Sequence, residues 1–292
     1  MPRRILVPLL ALSLAATASP GAAQNGSPAV EGAPVSLPRT ETRLLRSDAV
    51  GAGYKLYVSL PRDYAGGDGA YAVVYLLDAD YSFAIARNIV EHLADRNNIR
   101  PLILVGIAYD GPDRYRLNRT RDYTPTSVPT GGYGAEYQKV SGGAPAFRRF
   151  LERELIPFID AEYRTTGERA LVGHSYGGLF ASWVMLTEPA LFSRYIVASP
   201  SLWYDDHYMA GVEGDFARTH DDLPARAFFG VGSREVNDSI DMVSDLDAFT
   251  DRLRSRGFPS LKLTAVTFDD ETHNSVFPAL LGKGLRYVFE GW

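Results

Sequence analysis

Three observations predict an α/β fold with a mostly parallel central sheet, helices on both faces and a lid insertion. Short apolar runs alternate with amphipathic helical stretches, most of those runs are apolar at every position, and one connection is far longer than a turn. Two strand-like stretches come first, at 40–45 and 54–60, the second alternating as a half-buried strand does and closed by Pro61. They read as an antiparallel entry to the sheet. From Ala72 the texture changes to the apolar runs 72–77, 102–107, 170–172, 195–198, 227–231 and 261–268, which suit strands covered on both faces.

Helical stretches fall between these runs, at 84–96, 146–163, 179–187, 240–256 and 275–289. In 146–163 the residues Phe147, Phe150, Leu151, Leu155, Phe158 and Ile159 recur at spacings of three and four, forming one apolar stripe. The long connection, about 109–145, is rich in Gly, Tyr, Arg and Thr and reads as a lid or binding loop. A second irregular stretch, 199–224, is expected beside it, and the chain shows no internal repeat.

Composition narrows the partners. A net charge of -5 and no Lys/Arg-rich run argue against nucleic acid. With no Cys in the chain, a disulfide scaffold, a thiolate zinc site and a Cys nucleophile are all excluded. Residues 1–23 read as a cleavable export signal: Arg3 and Arg4 supply a basic start, an apolar stretch follows, and Gly21, Ala22 and Ala23 make a small-residue cleavage site. The apolar run, interrupted by Pro8 and ended by Pro20, is shorter than the roughly 20 residues of a membrane span. A periplasmic or secreted protein without a stable span is therefore expected. Residues 24–38 read as a flexible linker, and the catalytic domain as 39–292. Oligomeric state is left open.

The chemistry enters at Gly173-His174-Ser175-Tyr176-Gly177, a GxSxG pentapeptide that follows an apolar strand and opens a helical stretch. That is the setting of a nucleophile elbow, so the fold class sharpens to an α/β-hydrolase fold with Ser175 as nucleophile. A serine hydroxyl needs a base, and in this fold the chain order is serine, acid, histidine. Of the five histidines, His207, His220 and His273 follow Ser175, and His273 lies just beyond the last strand, where the base belongs. His174 is expected to point away from the reaction centre. For the acid, Glu235 stands just past the 227–231 strand, with Asp238 and Asp241 as alternatives. One oxyanion donor is expected from the backbone N–H of Tyr176, and the second from Asp78, Ala79, Asp80 or Tyr81, with Asp80 chosen.

These residues resemble the Putative esterase family of α/β hydrolases, which includes esterase D, the mycobacterial mycolyltransferases and the enterobactin and bacillibactin siderophore esterases. The resemblance spans about 54–289 and is carried by VVYLLDADYSF at 73–83, RDYTPT at 121–126, VGHSYGGLFASWVML at 172–186, YIVASPSLWYDD at 195–206 and THNSVFPALLGKGLRY at 272–287. It implies the same roles for Ser175 and His273, and keeps open a dyad without a carboxylate. Where the family often carries Gly, this chain has Ala79.

Ester hydrolysis through an acyl-enzyme follows, on a small-molecule substrate and without a metal or organic cofactor. By resemblance, the substrate is a siderophore-type ester or lactone. In the lid, Arg114, Arg116, Arg119 and Arg121 cluster with Tyr115 and Tyr123, a composition that suits an anionic or aromatic substrate. Arg121, Tyr123 and Trp203 are the named candidates for substrate contact. Against them stand an Arg121–Asp122 pair that merely anchors the loop, and core packing for Trp203. An acyltransferase using the same nucleophile, and a non-catalytic binding protein on the same scaffold, are the alternative functions.

Overall fold

The computed structural model describes residues 35–111 and 115–291. The export signal, most of the linker and Arg114 of the lid fall outside the described residues. From Leu37 onward the contacts close into one unit.

Eight strands form one sheet: β1 (Thr40–Ser47), β2 (Ala52–Ser59), β3 (Tyr71–Leu76), β4 (Ile103–Tyr109), β5 (Thr165–His174), β6 (Arg194–Ala198), β7 (Arg226–Gly232) and β8 (Lys262–Phe268). Their order across the sheet is β1-β2-β4-β3-β5-β6-β7-β8, antiparallel at β1/β2 and β2/β4 and parallel from β4 onward. This is the α/β-hydrolase arrangement that the sequence predicts, including its antiparallel entry. Strand β5 outruns the apolar run 170–172 because its polar start, from Thr165, pairs with Tyr71 of β3.

Alternate residues of the central strands serve opposite faces. Val73, Tyr75, Val105 and Ile107 share one core with Phe147, Phe150, Ile159, Phe180 and Leu246. Val74, Leu76, Leu104, Val172 and Ile196 share the other with Phe83, Ala86, Leu281 and Leu285. Helices α1 (Ala79–Asp95) and α9 (Phe277–Val288) cover the second face. The first is covered by α4 (Ala144–Phe150), α5 (Ile156–Glu162), α6 (Tyr176–Thr187) and α8 (Met242–Ser255). Between α4 and α5 the backbone widens into a π-helical stretch, Leu151–Leu155. Pro157, near the start of α5, has no N–H for the preceding turn and its ring crowds the carbonyl there, which accounts for the widening.

Both stretches expected to be irregular contain helices. The lid holds α2 (Tyr115–Tyr123) and the short α3 (Ala135–Gln138), and α7 (Tyr204–Thr219) follows β6. Hydrophobic periodicity could not find α2, because its buried face is Arg119, Thr120, Asp122 and Tyr123. In α7 the first turn is broken by Asp205, Asp206 and His207, all with positive φ. No helix among the described residues is long and apolar enough to cross a membrane.

Phe150 ties the helical layer to the sheet, with its ring fully buried and stacked on Tyr54 at 4.4 Å. Phe150→Ala is expected to lower unfolding free energy by about 3–5 kcal/mol. Urea denaturation followed by far-UV circular dichroism measures it, and a loss below about 1 kcal/mol would show that the layer does not depend on this ring.

Candidate active site

The parallel strands all end at one edge, and the residues just past those ends build the site. Asp78 follows β3, Ser175 follows β5, Ser199 and Ser201 follow β6, Glu235 follows β7 and His273 follows β8.

Ser175 occupies the turn between β5 and α6 with φ 61° and ψ −119°, a conformation that L-residues avoid unless the surroundings enforce it. Two backbone bonds do so: Ser175 N–H donates to Ala198 O at 2.9 Å, and Ser175 O accepts from Ser201 N–H at 3.2 Å. The flanking glycines are steric requirements. A Cβ at position 173 would sit 2.1 Å from Gly177 O, and one at 177 would press on the Asp78 carboxylate at 3.2 Å. The Ser175 hydroxyl is thereby lifted above the sheet edge, where its Oγ lies 3.5 Å from Ser201 Oγ.

The candidate acid and base are joined directly, with His273 Nδ1 2.6 Å from Glu235 Oε2. A carboxylate can only accept, so Nδ1 carries the proton and Nε2 is left with the lone pair a general base needs. The other oxygen, Oε1, accepts from Ser199 Oγ at 2.7 Å and from Gly232 N–H at 2.7 Å. The Glu235 side chain is 1% exposed, and these three donors are what make burying a carboxylate tolerable. Of the alternatives, Asp241 instead caps α8, its side chain accepting from Ser244 N–H.

Ser175, Tyr176, Glu235, His273 and Trp203 all line one cleft of about 890 Å³, with Tyr81, Tyr115, Arg116, Arg119, Tyr133, Ser201 and Arg234 around them. Asp80 is not itself among the cleft residues, although the next residue, Tyr81, is; it is the second residue of α1, where an amide has no intrahelical acceptor, and its carboxylate accepts from Tyr109 N–H. Two expected substrate contacts are corrected. Tyr123 is fully buried under the lid, its hydroxyl accepting from Asp78 N–H at 3.2 Å. Arg121 is not among the cleft residues and is held by Asp122, through Nε at 2.6 Å and Nη2 at 3.0 Å, so the loop-anchoring reading is the one observed. They fail differently: Tyr123 lies on the buried face of α2, whereas Arg121 is half-buried and tied to its neighbour Asp122, and the composition of a segment does not say which side chains reach the cleft.

His174 is corrected as well. Its ring lines the cleft 4.5 Å from that of His273, and its Nδ1 meets Tyr81 OH at 3.2 Å. Burial above all, then the neighbouring His273 and Arg119, hold its pKa well below the usual histidine range. The sequence also gave no warning of Ser199, which steadies the acid from the ASPS segment after β6. Among the described residues no group of three or more metal-ligating side chains is gathered.

A serine on a strained elbow, a carboxylate-bound imidazole and helix-terminal amides are the parts of an acyl-transfer site. The family model described as Putative esterase matches residues 47–251. The chain belongs to this family. As a Putative esterase member it is a hydrolase of ester bonds. It is 29% identical over 263 residues to the ferri-bacillibactin esterase BesA of Bacillus subtilis, covering 87% of this chain and 90% of that one. It is 28% identical to the siderophore triacetylfusarinine C esterase of Aspergillus fumigatus, over 89% of this chain and 96% of the relative. Among solved structures, an IroE-like serine hydrolase from Shewanella oneidensis superposes with a TM-score of 0.78 at 31% identity, covering 86% of this chain and 80% of that one.

Two outcomes are expected from this geometry. Glu235→Gln keeps the shape but presents an amide to His273 Nδ1, favouring the wrong tautomer; kcat on a p-nitrophenyl ester should fall by about 10²–10⁴-fold with KM little changed. Activity within about twofold of wild type would mean that Glu235 is dispensable and the pair works as a dyad. The second concerns His174, whose folded pKa is depressed while its unfolded value is about 6.5. The unfolded chain therefore binds this proton more readily, so stability holds above about pH 6.5 and is lost as pH falls towards the folded pKa, at up to ~1.4 kcal/mol per pH unit. Urea midpoints for wild type and His174→Gln across this window should diverge in slope, and parallel slopes would exonerate His174.

Proposed function

We propose that this protein hydrolyses siderophore-type esters through an acyl-enzyme on Ser175. The observation that carries the reading is the Ser175 elbow facing the same cleft as the His273–Glu235 pair. Ser175 Oγ attacks the ester carbonyl while His273 Nε2 takes its proton, and the imidazolium is stabilised by Glu235. The oxyanion is received by the amides of Tyr176 and Asp80, each at the start of a helix, where amides lack intrahelical partners and the helix dipole favours negative charge. His273 then returns the proton to the leaving alkoxide. Water, deprotonated by the same imidazole, releases the acid and restores Ser175.

The substrate class rests on the walls. Tyr81, Tyr115, Tyr133, Tyr176 and Trp203 offer ring faces, Arg116 offers a cation at the rim beside Arg234, which is paired with Asp270, and a cleft this size takes a bulky substrate. An aromatic or anionic ester fits, in keeping with relatives named for ferri-bacillibactin and triacetylfusarinine C. Residues 1–23, read as an export signal, support export to the periplasm or beyond as part of the same proposal.

The test is hydrolysis of ferri-bacillibactin, followed by chromatography of the released monomers, beside a short p-nitrophenyl ester series. Wild type should turn over the siderophore with the higher kcat/KM, and Ser175→Ala or His273→Ala should reduce kcat by up to the order of 10⁶-fold. A Ser175→Ala protein that stays active would overturn the mechanism. A preference for short esters over the siderophore would overturn the substrate class alone.

A further inference from the structure

Arg119 is the largest of the fully buried side chains, at 1% exposure, on a lid helix directly beneath the cleft. Four of the five N–H groups of its guanidinium are bonded within the protein. Nε and Nη2 donate to the two oxygens of Asp78 at 2.9 and 3.0 Å, Nη2 also reaches His174 O at 3.3 Å, and Nη1 donates to the Tyr133 hydroxyl. Tyr115 OH adds a third donor to Asp78, at 2.8 Å on Oδ1. Burial works against the charge, but Asp78 foremost among its partners more than offsets this, and the guanidinium stays charged. A cation so occupied is committed chiefly to its protein neighbours.

What matters is where its acceptors stand. Asp78 precedes Asp80 in the turn into α1, and His174 precedes Tyr176 in the turn into α6, each by two residues. The two segments that supply the oxyanion amides are paired as β3 and β5 only up to Leu76 and Val172, with one further bond from Leu77 N–H to Val172 O. Beyond that point Arg119 bridges them. Asp78 is also held at φ 56°, a left-handed conformation whose departure would swing the Asp80 amide.

We propose that Arg119 is a positioning residue, reaching from the lid to fix the spacing of the two oxyanion segments by gripping the Asp78 carboxylate and the His174 carbonyl together. The proposal rests on the acyl-enzyme reading of Ser175. Oxyanion donors act over a narrow range of distance, and a misplacement of about 1 Å costs on the order of a hundredfold in rate. Lysine keeps the charge but lacks the planar fork that grips both carboxylate oxygens and the carbonyl at once.

The experiment compares wild type with Arg119→Lys, with rates expressed per active site titrated by a fluorophosphonate, so that loss of folded protein does not count as loss of catalysis. Expected are a fall in kcat of about 10–100-fold with KM within about threefold, and a parallel loss of affinity for an alkyl boronic acid, whose adduct puts an oxygen into the hole. Wild-type kcat and boronate affinity in folded Arg119→Lys overturn the proposal. So does a fall confined to KM, because it would place Arg119 in substrate binding. Should Arg119→Lys not fold, Tyr115→Phe removes one bond to Asp78, and the same paired fall in kcat and boronate affinity, about threefold to tenfold, decides the matter; no change overturns it. If the fluorophosphonate fails to label Ser175 in wild type, the acyl-enzyme reading falls and takes this one with it, whereas labelling with unaltered Arg119→Lys kinetics sinks this one alone.

Discussion

The left-handed turn at Ser175 is the constraint from which the rest of the site hangs. A serine at φ 61° is strained, and the strain is sustained by the Ala198 carbonyl and the Ser201 amide of the neighbouring β6 segment, and by glycines that allow β5 and α6 to meet at their closest approach. The β6 segment bends in turn, with Ser199 at φ 41°, and this places the Ser199 hydroxyl on Glu235. One distorted corner thus sets the proposed nucleophile, and the next sets the carboxylate that orients the proposed base. The sheet order makes this possible, since β5, β6, β7 and β8 are successive neighbours and their ends deliver Ser175, Ser199, Glu235 and His273 in a row.

Much of this is legible in the residues. Most strands announce themselves by an apolar run or an alternating stretch, and GHSYG between a strand and a helix points to one chemistry. Glu235 and His273 are found by position alone, because in a parallel sheet a residue just past a strand end has to face the common edge. Their contact at 2.6 Å is the geometric consequence of two adjacent strands ending together.

The packing within the lid was not legible, for a physical reason. Helix α2 buries Arg119, Thr120 and Asp122, so the face that packs is polar and carries none of the apolar periodicity by which helices are recognised. Its arginines look like a surface for anions when counted, yet Arg119 is spent on Asp78 and Arg121 on Asp122, while Arg116 lines the cleft. The pairing of a lid arginine with an aspartate some forty residues earlier leaves no local trace. His174 illustrates the same limit: a residue beside the nucleophile is easily placed in the chain, but its packing against His273 depends on where the β8 segment returns.

The attachment of the lid also bears on how such an enzyme can diversify. The lid enters the fold as a single insertion between β4 and α4, the kind of segment that lineages can lengthen or exchange without disturbing strands that carry the chemistry. Here its underside is not interchangeable, because Arg119 and Tyr123 reach into the turn that opens α1. Variation is therefore channelled to the outer wall, where Arg116, Gly131, Gly132 and Tyr133 border the cleft. New specificities can be drafted there without disturbing the layer below.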